Sequence, residues 1–318
     1  MKFPRSAFVL ALLLAAALPA RAADTVRAVK AASVAWTFTV LDIGMDQGIF
    51  QKYGIIVDIS SAGGDAKVQQ ALASDSVDFG LGSGPSMAFV AKGAPEIAVA
   101  AFASAPRNIS ILVGADSPIK TVKDLKGKTL AVTTTGSLTE WLAQQMSIQE
   151  GFGQNGIKTA ALGTFEASFA ALEAHQVDGI VAATEAGYRL EEKGSGRILV
   201  GMEKYAPDFI THVIFARKEL VKDKPDVVKR FLQGFFATIH FMKTNKAKTV
   251  EIGSKVLNMS PAAMGKTYDE EISMFLDDGR FEPKAVEVLK DSWIAMGMLP
   301  TKPKDDQIFT TEFVPVKY

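Results

Sequence analysis

The chain has 318 residues, with 35 basic and 35 acidic side chains, three histidines and no cysteine. Balanced charge offers no basic surface for nucleic acid. The absence of thiols excludes disulfides, cysteine-ligated metals and a thioether-linked lipid. With 48% hydrophobic residues the chain can bury one large core or two medium ones.

In chain order, Lys2 and Arg5 precede an apolar run at 8–18, and Ala20-Arg21-Ala22 fits a small-x-small cleavage site. Such a run is too short to span a bilayer, so 1–22 is expected to be a cleavable signal peptide. Its removal takes Lys2, Arg5 and Arg21 and no acid, leaving the mature chain with an excess of three negative charges. A soluble, non-lipidated periplasmic protein is expected, and no later segment is apolar for long enough to be a membrane span.

From there strands and helices alternate. Residues 26–32 alternate as a strand, 41–52 have helical apolar spacing ending at Tyr53-Gly54, and 55–59 read as a second strand. A helix at 65–73, a strand at 77–81, a helix at 85–92 and a strand at 97–103 follow. The alternation then restarts with strands at 109–114, 129–133 and 179–183, a short helical turn at 122–128, and helices at 139–149 and 165–175. After a strand at 212–216 the chain is almost wholly helical; Val227, Val228, Phe231, Leu232, Phe235, Phe236 and Ile239 mark one buried stripe. Strands alternating with helices predict mostly parallel sheets, each with its own helices.

An internal repeat divides this alternation. Ala71-Leu72-Ala73-Ser74-Asp75-Ser76-Val77-Asp78 recurs one hundred residues on as Ala171-Leu172-Glu173-Ala174-His175-Gln176-Val177-Asp178, each copy ending a helix and feeding an apolar strand. A protein built twice around one helix-to-strand joint has two lobes, and the space between them is the candidate site.

The run from Gln47 through Tyr53-Gly54-Ile55, the Gly63-Gly64 turn, Ala71-Leu72 through Val77-Asp78-Phe79-Gly80, Ser117-Pro118-Ile119 with Asp124-Leu125-Lys126-Gly127-Lys128, and Val177-Asp178 together resemble the periplasmic substrate-binding proteins of the nitrate, sulfonate and taurine transport family. That family also contains binders of the thiamine pyrimidine precursor. The resemblance implies an α/β type II periplasmic-binding fold: lobe 1 from 23–105 and 212–318, lobe 2 from 106–211, joined by two crossing segments. It implies a monomer that closes on a small-molecule solute and docks on an inner-membrane ABC permease with its cytoplasmic ATPase, with no cofactor and no metal.

The residues support such a site independently. Ligands of open α/β sheets sit beyond the carboxyl ends of strands, where helix N-termini gather. Three strand-to-helix turns are rich in small and hydroxyl residues: Gly63-Gly64, Ser83-Gly84 and Thr135-Gly136-Ser137. Glycine admits close approach to the main chain, and free N–H groups with the helix dipole favour an anion. Ser137-Leu138-Thr139-Glu140 also reads as a capping box that only holds its own helix.

Among other candidates, Trp36 and Thr37 follow the first strand, where Trp36 either stacks on a planar ligand or packs in the core. Arg107 and Asn108 lie at the first crossing, where Arg107 either forks onto an oxyanion or is an exposed hinge residue. Thr184-Glu185 follows the second lobe's repeated strand, and a buried Glu185 wants a cation, either a ligand amine or Arg107. His212 opens the returning strand.

A small anionic or zwitterionic solute such as a sulfonate, taurine or nitrate is the first expectation. A thiamine-precursor-like pyrimidine or an aromatic carboxylate is the second, and delivery to a receptor kinase instead of a permease a third. An enzyme is not expected, because no nucleophile with an identifiable base and no metal-ligand spacing appears.

Overall fold

The computed structural model describes residues 23–33 and 35–318, so the expected signal peptide lies outside the described residues. The elements run β1 (Asp24–Lys30), α1 (Val40–Asp46), α2 (Ile49–Lys52), β2 (Ile55–Ser61), α3 (Asp65–Ala73), β3 (Phe79–Ser83), α4 (Met87–Ala91), β4 (Glu96–Ala103), β5 (Ile109–Gly114), β6 (Thr129–Val132), α5 (Leu138–Gln149), β7 (Lys158–Ala161), α6 (Phe165–Glu173), β8 (Gly179–Ala183), α7 (Thr184–Glu192), β9 (Gly196–Gly201), β10 (His212–Arg217), α8 (Lys218–Asp223), α9 (Pro225–Thr244), α10 (Lys246–Leu257), α11 (Pro261–Glu271) and α12 (Pro283–Ala295).

They form two five-stranded sheets, ordered β2-β1-β3-β10-β4 and β7-β6-β8-β5-β9. Each sheet is mixed rather than wholly parallel. β10 runs against β3 and β4, and β5 runs against β8 and β9. The reversed strand is in each case the first one laid down after the chain crosses between lobes, at 104–108 and again at 202–211. The crossings run side by side: the Thr211 N–H donates to the Ala103 carbonyl at 2.9 Å, and Ala103 pairs with His212 in register.

The expected helix at 41–52 is two helices, because Gly48 at φ 64° breaks the ladder after α1. Three elements give no signal in the sequence reading. β7 is four half-exposed residues, α7 follows β8 without a loop, and β9 is a half-buried strand at the edge of its sheet.

The first sheet is held by the C-terminal helices. α9 turns its apolar stripe inward, with Phe231, Phe235 and Ile239 fully buried, and Phe231 stacks on Phe79 of β3 at 3.9 Å between ring centres. Each such ring contributes about 1.5–3 kcal/mol through burial.

The repeat is realised as one device used twice. α3 and α6, and likewise β3 and β8, begin and end one hundred residues apart. Asp75 and His175 both take left-handed backbone, at φ 57° and 54°, turning the chain out of the helix. The Asp78 N–H then donates to the Arg27 carbonyl at 2.8 Å, and its carboxylate accepts from the Arg27 N–H at 2.9 Å. Asp178 repeats this on Thr129 at 2.8 Å and 2.9 Å.

Candidate functional site

A cavity of about 170 Å³ lies between the two sheets, enough for a solute on the order of ten non-hydrogen atoms. Its wall from the first lobe is the turn after β1, Gly63-Gly64-Asp65 and Ser83; its wall from the second is Thr133, Leu138-Thr139, the Gly163-Thr164-Phe165 turn and the end of β8. Asn108, the last residue of the first crossing, and His212, the first of β10, also line it. The N-termini of α3 and α6 therefore meet the cavity from opposite lobes, as the repeat requires.

The polar wall at Asn108 and His212 can be read atom by atom. His212 Nδ1 lies 3.3 Å from the Gly82 carbonyl, which only accepts, so Nδ1 carries the hydrogen. Nε2 is then an acceptor, and Asn108 Nδ2 donates to it at 3.1 Å and to Thr37 Oγ1, also at 3.1 Å. Asn108 Oδ1 is left buried with no partner among the described residues. Burial holds His212 neutral, pushing its pKa down to about 3 against the pull of the Gly82 carbonyl.

Asp65 is 4% exposed. Its Oδ1 accepts from the Ser83 N–H at 2.9 Å, and its Oδ2 from Ser83 Oγ at 2.9 Å and from the Leu138 N–H at 3.1 Å. Among the described residues lining the cavity none is Lys or Arg.

Of the expected site residues, Gly63, Gly64, Ser83, Asn108 and His212 line this cavity. The others stand elsewhere. Trp36 is fully buried and meets Tyr268 and Phe275 edge-on, at 6.0 and 5.1 Å. Thr37 is buried behind Asn108. Gly84 packs main chain to main chain, a Cβ there falling 2.1 Å from the Ile210 carbonyl oxygen. Arg107 pairs with Glu203 at 2.8 Å, both about half exposed.

Thr135 and Gly136 line a separate groove with Lys92 and Gln144. Ser137 caps α5, accepting from the Glu140 N–H at 3.4 Å, while the Glu140 carboxylate accepts from the Gly136 N–H at 2.7 Å. Thr184 bonds Ser110 at 2.8 Å. Glu185 accepts from the Trp36 N–H across the lobes and does not meet Arg107.

Glu185 is one of two fully buried carboxyls between α7 and α11. Burial lifts it to about 7 against the Trp36 N–H, and burial together with Glu185 and Glu270 pushes Glu271 well above the usual range. Neither oxygen of Glu271 makes a hydrogen bond among the described residues. Alongside them Tyr188 donates to Glu270. With Trp141 Nε1 on Ser292 Oγ at 2.9 Å, these contacts bind the second lobe to the C-terminal helices.

The Gly163-Thr164 wall had a signal in the sequence: it stands one hundred residues after Gly63-Gly64, in the register of the repeat. Asp65 had none, since its partner Leu138 is 73 residues away.

Two lobes, each an α/β sheet, with a cavity between them fed by paired crossings, define the fold of the periplasmic binding proteins. The chain belongs to the NMT1/THI5-like family, whose model matches residues 37–248. It is 24% identical over 286 residues to a binding protein of Brucella abortus, covering 85% of this chain and 86% of that one. The alkanesulfonate-binding protein SsuA of Xanthomonas axonopodis, bound to MOPS, superposes with a TM-score of 0.75 at 19% identity over 91% of this chain and 97% of that one. The periplasmic aliphatic sulphonate binding protein SsuA of Escherichia coli gives 0.69 at 19% identity, covering 90% and 92%. The desulfurization enzyme DszB shares the fold, at 0.62 and 14% identity over 91% and 97%.

Proposed function

We propose that the chain is the solute-binding component of an ABC importer, exported to the periplasm as a monomer, which closes its lobes (23–105 with 212–318, and 106–211) around a small organic solute and presents it to a permease. The solute is mainly apolar and carries a hydrogen-bond donor, as an amino-substituted heterocycle of the pyrimidine type does. The observation that carries this reading is that Asn108, which lines the cavity, keeps a buried amide oxygen with no hydrogen-bond partner among the described residues. A buried acceptor without a partner costs roughly 1–3 kcal/mol, and a ligand N–H or O–H removes that cost. The cavity's lining supports the same class, since it offers no cationic side chain to a sulfonate and already holds the Asp65 carboxylate.

Binding rather than catalysis is supported by His212. A base with a pKa of about 3 is far from the operating pH and a weak proton acceptor in a reaction.

The start of α6 favours a second reading. Thr164 and Phe165 bring the first turn of a nine-residue helix to the cavity, and free N–H groups there suit a sulfonate or carboxylate.

The test is a thermal-shift and calorimetric screen of the mature protein against aminopyrimidines, other amino-heterocycles, alkanesulfonates, taurine, nitrate and aromatic carboxylates. A ligand that selects the folded form raises its apparent stability. Stabilisation by donor-bearing heterocycles supports the first reading; stabilisation by sulfonates or carboxylates alone transfers the assignment to the second.

A further inference from the structure

Asp65 occupies the place at the start of α5 where a ligand's acidic head group would sit. It belongs to the first turn of α3 in one lobe, while Leu138, whose N–H it accepts at 3.1 Å, is the first residue of α5 in the other. Beside this bond the Ala66 N–H donates to Thr134 Oγ1 at 3.2 Å. Two helix starts thus meet head to head across the cleft. Each carries unsatisfied N–H groups and the positive end of a helix dipole, so the approach is repulsive unless an acceptor stands between them. The Asp65 side chain is that acceptor, and Ser83 fixes both its oxygens at 2.9 Å.

We propose that Asp65 is a built-in latch and a specificity-determining residue: its carboxylate fills the anion position at the start of α5 from the opposite lobe, ties the lobes without help from a solute, and keeps acidic solutes off that helix start. This rests on the cavity being the solute site. Its test uses no transported solute, so an error in the solute class leaves the expected outcomes unchanged.

In Asp65→Ala, the freed N–H groups of Leu138 and Ser83 should bind formate with a Kd of about millimolar order, seen by calorimetry. Wild type should lack this additional site, whatever it binds at the start of α6, and formamide, the neutral isostere, should fill it in neither protein. Small-angle scattering should show the variant expanded, its closed-to-open ratio lowered roughly ten- to a hundredfold, and compact again in formate.

Leu138→Pro keeps Asp65 and deletes the cross-lobe donor, at the cost of trimming a buried side chain in the cavity wall. Proline suits the first position of a helix, and Ser137 at φ −80°, ψ 167° already has the extended backbone required before proline. It should expand like Asp65→Ala and show no recovery in formate. If Asp65→Ala remains as compact as wild type and ignores formate, or if Leu138→Pro has the wild-type radius, the latch is refuted; the second outcome decides the matter even where Asp65→Ala fails to fold.

Discussion

Gly63 and Gly163, one hundred residues apart, face each other across the cleft: a Cβ on Gly63 would lie 3.8 Å from the carbonyl carbon of Gly163, and both residues have left-handed backbone, at φ 80° and 85°. The duplicated turns therefore meet across the cleft. Gly63→Ala should cost about 1–2 kcal/mol from the backbone alone. It also places a methyl 3.3 Å from Thr164 Cγ2 and should hold the lobes apart. Gly194→Ala, at φ 65° with open space around it, is the control for strain. Equal unfolding penalties, with an expanded radius only in Gly63→Ala, are the expected result by denaturation and scattering.

The stability of the protein should peak in mildly acidic solution. Glu185 rises to about 7 in the fold from about 4.3 unfolded, so its contribution is complete below about 4.3 and lost as pH climbs through about 7. Glu271 acts in the same direction. His212 falls to about 3 from about 6.5, so its contribution is complete above about 6.5 and lost as pH falls through about 3. Between about pH 4.3 and 6.5 the two raised carboxyls outweigh the one imidazole, so thermal melts from pH 3 to 9 should show a maximum near about pH 4–5, and Glu185→Gln should make the alkaline limb shallower. An alkaline limb unchanged by that substitution would remove Glu185 as its cause.

Asn108→Asp should change the charge of His212. A carboxylate oxygen in place of Nδ2 turns the donor facing Nε2 into an acceptor, which favours the imidazolium. The His212 resonance, assigned by its loss in His212→Gln, should titrate well above 3 in the variant.

Arg107→Ala should leave both solute affinity and stability unchanged, the latter within about 0.5 kcal/mol. Its guanidinium meets Glu203 at 2.8 Å at the surface, away from the cavity lining. A tenfold loss of affinity by calorimetry would return Arg107 to the site.

The two aspartates of the repeat should differ in weight. Burial pushes Asp78 up, but the guanidinium and N–H of Arg27, together with Arg217, outweigh it and hold the carboxyl at about 2. Asp178 has Lys128 at 3.4 Å and is more exposed. Asp78→Ala should therefore cost about 3 kcal/mol or more, Asp178→Ala about 1 kcal/mol, measured by urea denaturation.

What the sequence made legible was local. Alternating apolar residues located most strands, and the recurrence of Val-Asp after Ala-Leu located the doubled joint, because the same backbone turn and the same carboxylate-to-strand bond were needed twice. Of the glycine turns, Gly63-Gly64 and Ser83 line the cavity, whereas Gly84 packs on Ile210 and Gly136 lines a separate groove. What depended on the meeting of distant segments was not legible. Trp36 went to an aromatic cluster built by Tyr268 and Phe275, and Arg107 found Glu203. Ser137 capped its helix while Asp65, from the other lobe, took the donor beside it.

The paired crossings have a mechanical consequence. A single linker permits bending and twisting alike, whereas two adjacent segments, bonded to each other at Ala103 and Thr211, resist torsion and leave one axis of easy rotation. In the proposed closure the lobes would then swing along one arc, and a surface that straddles them would have the same outline each time the arc is closed. A partner that reads that outline measures a single angle.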